Sequence, residues 1–162
     1  NRLTDLLVYA PVCPVEAASH QFGCAYNVNR AQLSGLSLAA STRWQQWTLK
    51  GTLDLQDPKD ETANKRLVRR AREHGTLVLE YASGAWKGGA ESVFSGERFD
   101  DAANKNRLGG YGLLNLYGSY EFARNWSVLA RWNNLTGKDY ELARFYATPG
   151  SNGFIGVRYG SR

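Results

Sequence analysis

The sequence predicts an all-β fold, an antiparallel transmembrane β-barrel of about eight strands. Three observations carry that expectation. Apolar and polar residues alternate along the last quarter of the chain. Aromatic residues sit at the ends of the apolar stripes rather than in their centres, as in the two interfacial belts of a membrane barrel. The connections between stripes alternate between short turns and long polar loops. The average hydropathy is low and no window approaches ~18 consecutive apolar residues, which excludes a helical span but not strands, whose alternation hides an apolar band.

The runs can be justified in order. A strand places successive side chains on opposite faces, and eight such runs fall at roughly 2–10, 24–42, 45–57, 66–82, 86–99, 107–122, 126–140 and 152–159. In the second run the pattern slips around Gly35, which predicts a bulge or bend. In the third, Trp47, Leu49, Gly51, Leu53 and Leu55 oppose Thr48, Lys50, Thr52, Asp54 and Gln56. In the fourth, Leu77, Leu79 and Tyr81 oppose Thr76, Val78 and Glu80; in the fifth, Trp86, Gly88, Ala90, Ser92 and Phe94 oppose Lys87, Gly89, Glu91 and Val93. In the sixth, Leu114, Leu116, Tyr120 and Phe122 oppose Asn115, Tyr117, Ser119 and Glu121. In the seventh, Trp126, Val128, Ala130 and Trp132 oppose Ser127, Arg131 and Asn133. Many runs exceed the ~10 residues that cross a bilayer, so strands should project beyond it. The competing reading is a soluble barrel whose apolar face is its core. Gly and Ala within the stripes, and aromatics at their ends, favour the membrane reading.

Short turns near Arg43, Gly84 and Arg124 should face the periplasm, and the longer segments at 11–23, 57–66, 100–106 and 141–151 should face outside. A net charge of +5 raises nucleic acid as a partner, but the basic residues are spread along the chain and form no single patch, so nucleic-acid binding is not expected. Membrane lipid and lipopolysaccharide are the natural anionic partners.

No catalytic constellation is present, and no enzyme activity, cofactor or metal site is expected. His20 and His74 are too few and too far apart for a triad. Asp57, Asp60 and Glu61 lack calcium-loop spacing, and Asp100 and Asp101 read as solvated loop tips. Cys13 and Cys24 flank an aperiodic segment containing His20. The spacing matches no zinc pattern, and a disulfide is the favoured reading, stabilising by about 2–3 kcal/mol in the chain-entropy model. Arg66, Arg69, Arg70 and Arg72 form a basic cluster, readable either as a solvated strand extension or as a contact for lipopolysaccharide or an acidic ligand group. Phe145 and Tyr146 lie in the last long loop, where they either pack the loop or stack on a ligand.

The stretch NNLTGKDYELARFYATPG at 133–150 resembles the closing motif of TonB-dependent outer-membrane receptors, with Asn134, Leu135, Lys138, Asp139, Tyr140, Tyr146, Pro149 and Gly150 in the matching places. Thr136 and Gly137 replace the usual Phe-Asp, and Ser151 the usual Arg. NVNRAQLSG at 27–35, RLVRRAREHG at 66–75 and GGYGLLNLYGSYEF at 109–122 resemble further family stretches, in the family's order. The wording is nearest the cobalamin receptors, with siderophore receptors second. The resemblance implies that residues 1–162 are the C-terminal third of a barrel of roughly 22 strands, with the plug domain and the region that contacts TonB absent, Asn1 marking a mature product or a fragment. It implies location in the outer membrane and active transport of cobalamin or an iron-siderophore, with Arg69, Arg70, Arg72, Phe145 and Tyr146 as candidate ligand contacts. The alternative is a self-closed eight-stranded barrel with a structural or accessory role, whose Lys50, Asp54, Glu80, Glu91, Glu121 and Arg131 would pair in a narrow lumen.

Overall fold

The computed structural model describes residues 2–10 and 24–160. Eleven strands are present among them: β1 (Arg2–Ala10), β2 (Cys24–Trp44), β3 (Trp47–Asp60), β4 (Lys65–Arg66), β5 (Glu73–Ser83), β6 (Trp86–Ser95), β7 (Arg98–Phe99), β8 (Arg107–Leu108), β9 (Tyr111–Ala123), β10 (Trp126–Asn133) and β11 (Asn152–Tyr159). Eight long strands form one antiparallel sheet in the order β1-β2-β3-β5-β6-β9-β10-β11, with β4 added beside the top of β3 and β7-β8 forming a separate hairpin. Among the described residues β1 and β11 do not pair with each other, so the sheet has two open edges rather than closing on itself.

Two-residue turns join β2 to β3, β5 to β6 and β9 to β10. Gln45 and Gly84 hold positive φ at the first turn position, and Asn125 at the second, which lets each tight hairpin follow the twist of its strands. All three turns lie at one end of the sheet. Ring pairs Trp47–Tyr81, Trp86–Tyr120 and Trp126–Tyr159, with centroids 4.3–5.0 Å apart, run across that end. The final strand ends at Tyr159 in this row. Long connections gather at the other end.

The alternation in the sequence is realised as two chemically distinct faces. One carries Leu38, Leu77, Leu116 and Ile155, which are 40–79% exposed. A soluble barrel would bury that face; here it is an outward apolar band. The opposite face carries polar side chains that bond across strands. Ser37 donates to Asp54, and Asp54 pairs with His74 at 3.2 Å. Thr52 and Thr76 share a hydrogen bond of 2.8 Å. Glu80 pairs with Lys87 at 3.2 Å and accepts from Tyr117 at 3.0 Å. Glu91 accepts from Asn115 at 3.0 Å and pairs with Arg131. These pairs satisfy charges that the interior would otherwise penalise.

Several expected boundaries are corrected. Gly35 is not at a bulge, because the β2–β3 register runs without a shift from Ala31↔Asp60 to Trp44↔Trp47. A Cβ there would stand 2.3 Å from the Leu55 carbonyl oxygen, so the glycine permits close approach of the neighbouring backbone. The register shift lies instead between Trp126 and Ser127, beside the β9–β10 turn. Of the run expected at 66–82, Arg66 belongs to the short β4 and the long strand begins only at Glu73, and the run at 126–140 stops at Asn133. Residues 86–99 divide into β6 and β7, and 107–122 into β8 and β9.

Replacing Leu116 or Val128 with Arg should destabilise the folded protein in lipid by roughly 2–4 kcal/mol near the bilayer midplane. Ser119→Arg, on the opposite face, should cost much less. Denaturant unfolding in the same lipid measures all three, and equal tolerance at the three positions would contradict the face assignment.

Candidate outer-loop cleft

The long-loop end is built by side chains that replace the sheet ladder where strands stop. β10 ends because Asn134 adopts a left-handed φ of 49°. Its amide side chain accepts from the Lys138 N–H at 2.8 Å and donates to the Lys138 carbonyl at 2.9 Å. Its own N–H donates to Asn115 Oδ1 at 2.9 Å. This buried amide pair turns the chain off the sheet, which alternation alone does not reveal. The loop after it is anchored by Arg98, only 4% exposed, whose Nη2 donates to the Glu141 carbonyl at 2.6 Å. Arg98 also lies over the Tyr111 ring at 5.2 Å, and Tyr111 stacks on Tyr140 at 4.4 Å.

The segment 61–72 is held by the β7–β8 hairpin. Asn104 accepts from the Arg66 N–H at 2.8 Å and donates to the Arg66 carbonyl at 3.0 Å. Arg69 Nε donates to Asp100 Oδ1 at 2.5 Å, and its backbone N–H donates to the Phe99 carbonyl at 2.7 Å. Asp100 is 3% exposed, which corrects its reading as a solvated loop tip. The physical reason is an ionic partner 31 residues away in sequence. Asp101 instead accepts from the Lys105 and Asn106 N–H groups and shapes the turn.

A cavity of about 930 Å³ opens between these two clasps. Arg69, Asp100 and Asn106 form one side, and the chain from Leu142 to Pro149 the other. Arg144 bridges the sides by donating to Asn106 Oδ1 at 2.5 Å, and its guanidinium lies 4.7 Å from the Phe145 ring centroid. Phe145 and Tyr146 are 84% and 71% exposed, so neither is packing the loop's interior. A concave volume with aromatic faces and a few fixed polar groups is the ordinary form of a small-molecule site.

Three of the five expected ligand contacts, Arg69, Phe145 and Tyr146, are therefore brought together. The other two are not. Arg72 pairs with Asp57 at 3.0 Å on the β3 side, and Arg70 is exposed away from the cavity lining. The basic cluster is not a free cationic patch, since Arg66 pairs with Glu97 at 3.3 Å as well. Arg98, Asn106 and Arg144 carried no sequence signal, because each acts through partners distant along the chain. Among the described residues, no group of His, Cys, Asp and Glu is arranged to hold a metal. Cys13 lies outside the described residues, so its pairing with Cys24 is kept as a proposal.

The sheet, with its outward apolar band and its polar opposite face, has the form of a sector of a transmembrane β-barrel wall. Residues 1–135 match the family model for the TonB dependent receptor-like β-barrel, and the chain belongs to that family. It is an outer-membrane protein, like its barrel homologues, and its family and neighbours are transporters and receptors rather than enzymes. It is 29% identical over 148 residues to a vitamin B12 transporter, BtuB, of Photobacterium profundum, covering 90% of this chain and 24% of the relative. It is 26% identical over 164 residues to the BtuB of Vibrio vulnificus, covering 98% of this chain and 26% of the relative. Among solved structures it superposes on the copper transporter OprC with a TM-score of 0.80 at 21% identity, covering 98% of this chain and 26% of that one. The chain thus spans about a quarter of the length of the curated relatives it matches.

Two outcomes follow from the clasps. Arg69→Gln should leave the Asp100 carboxylate buried without its cation, costing about 1–3 kcal/mol locally. Faster hydrogen exchange at the Asp100 and Asn106 amides would register it, while unchanged exchange would contradict the clasp. Thiol titration of unreduced, freshly purified protein should find Cys13 and Cys24 unreactive, and two titratable thiols would reject the disulfide.

Proposed function

We propose that this chain is a sector of the wall and outer loops of a TonB-dependent outer-membrane transporter that imports cobalamin or an iron-siderophore. The observation that carries the reading is the outer-loop cleft, where Arg69, Phe145 and Tyr146 meet at the mouth of a sheet whose inner face is polar. The relatives named as vitamin B12 transporters support cobalamin. The siderophore receptor PiuA of Acinetobacter baumannii shares the fold, with a TM-score of 0.72 at 18% identity.

The physical role of the cleft is to hold a large, rigid ligand at the outer mouth. Exposed ring faces offer broad contact at small conformational-entropy cost. Arg69, fixed by Asp100, supplies oriented N–H donors. Among the described residues the outer edges of β1 and β11 have no strand partner, which favours a large barrel over the self-closed eight-stranded alternative. In lipid every backbone polar group needs a partner within the protein, so these edges must be completed by other strands.

The test uses the full gene product in outer membranes. Phe145→Ala combined with Tyr146→Ala should weaken binding of either cyanocobalamin or a ferric siderophore by roughly tenfold or more, about 1–2 kcal/mol. Which ligand responds identifies the cargo. Binding of both ligands, each unaffected by the double substitution, would refute the cleft as a ligand site.

A further inference from the structure

We propose that Arg144 makes the outer-loop cleft selective for negatively charged ligands, so that its cargo is an anionic metal chelate and not an uncharged corrinoid. This selectivity rests on the reading of the cleft as a ligand site and adds the charge of what enters it. It follows from how the charges on the lining are spent. The charged groups that line the cavity are Arg69, Asp100 and Arg144. Arg69 and Asp100 are bonded to each other, so that pair offers hydrogen-bond donors without net charge. Arg144 is different. Its hydrogen-bond partner among the described residues is neutral, since Nη1 donates to Asn106 Oδ1 at 2.5 Å. No carboxylate among the described residues stands within ion-pair distance of it.

A second cation holds the base of the same segment. Arg98 is buried, and it bonds the Glu141 carbonyl and the Ser95 hydroxyl, both neutral. It too pairs with no carboxylate among the described residues. Salt and water screen a buried charge less than a surface one. The charge left over on the lining and the charge under its base therefore have the same sign. A concave site with one sign of charge raises the local concentration of the opposite ion.

Arg144 is also held in place. The Tyr146 N–H donates to the Ala143 carbonyl at 3.2 Å and closes a turn. Within that turn Phe145 takes a left-handed φ of 68°. A bulky residue rarely adopts that conformation, and because the ring is exposed its burial does not offset the strain. Backbone strain of this kind gathers at ligand clamps. Here the turn sets the Phe145 ring 4.7 Å from the Arg144 guanidinium, while Asn106 holds one of its nitrogens. The planar fork is thus oriented before a ligand arrives, which lowers the entropy lost on binding. A fixed guanidinium beside an exposed ring face fits a carboxylate or phenolate oxygen carried on a flat scaffold.

The test titrates the full gene product, purified in detergent, with a negatively charged ferric tris-catecholate, a neutral ferric tris-hydroxamate and cyanocobalamin. Wild type should bind the charged chelate most tightly. Arg144→Gln should weaken that binding roughly tenfold, the size of one charge-assisted hydrogen bond in a partly exposed site. Arg144→Lys, which restores the charge without the fork, should recover part of the loss. Asn106→Ala, which frees the guanidinium but keeps its charge, should cost less than Arg144→Gln. Arg70→Gln removes a cation away from the lining and should change nothing. Unchanged binding of the charged chelate by Arg144→Gln, an equal loss in Arg70→Gln, or preference of wild type for a neutral ligand overturns the selectivity and leaves the cleft standing as a ligand site. Binding of none of the three by wild type overturns the transport reading, and the selectivity with it.

Discussion

The structure depends on the pairing of backbone N–H and C=O groups between adjacent strands. Within lipid an unpaired amide costs several kcal/mol, and only helices and closed sheets avoid that cost. Once the chain is committed to a ladder, each side chain is assigned to lipid or lumen by parity alone. A continuous register from Ala31↔Asp60 to Trp44↔Trp47 carries that assignment along the whole of β3 without a slip. The aromatic pairs at the turn end, the apolar band and the inner polar network are all consequences of the same parity.

The inner face and the outer loops solve the resulting electrostatic problem in different ways. On the sheet, opposite charges meet across strands, as in Glu91 with Arg131 and Glu80 with Lys87. Beyond the main sheet the described ladders are short, and Asn134, Arg98 and Arg69 bond backbone or carboxylate groups from distant segments. These bonds fix the walls of the cleft while leaving Phe145 and Tyr146 turned to solvent. Rigid support with exposed aromatic faces suits recognition, because less conformational entropy is lost on binding.

Legibility in the sequence followed the range of the interactions. Period-two alternation exposed the two faces and the short turns, since these depend on neighbours along the chain. The early stop of β10 was hidden because Asn134 departs from the strand through its own side chain. The segment 66–72 read as strand for a similar reason, its backbone being held instead by Asn104 and Phe99. Asp100 looked like a loop tip until its partner Arg69 was placed beside it. The motif at 133–150 pointed to the family, but the roles of Asn134 as a turn former and of Phe145 and Tyr146 as cleft walls emerge only from the packing.

The most direct measurement scans single cysteines from Leu113 to Phe122 in the full gene product embedded in its membrane, and compares quenching of an attached probe by a lipid-soluble and a water-soluble agent. The account predicts strict alternation: Leu114, Leu116 and Tyr120 respond to the lipid-soluble agent, and Asn115, Tyr117 and Ser119 to the aqueous one. Uniform response along the strand, or the opposite phase, would contradict it.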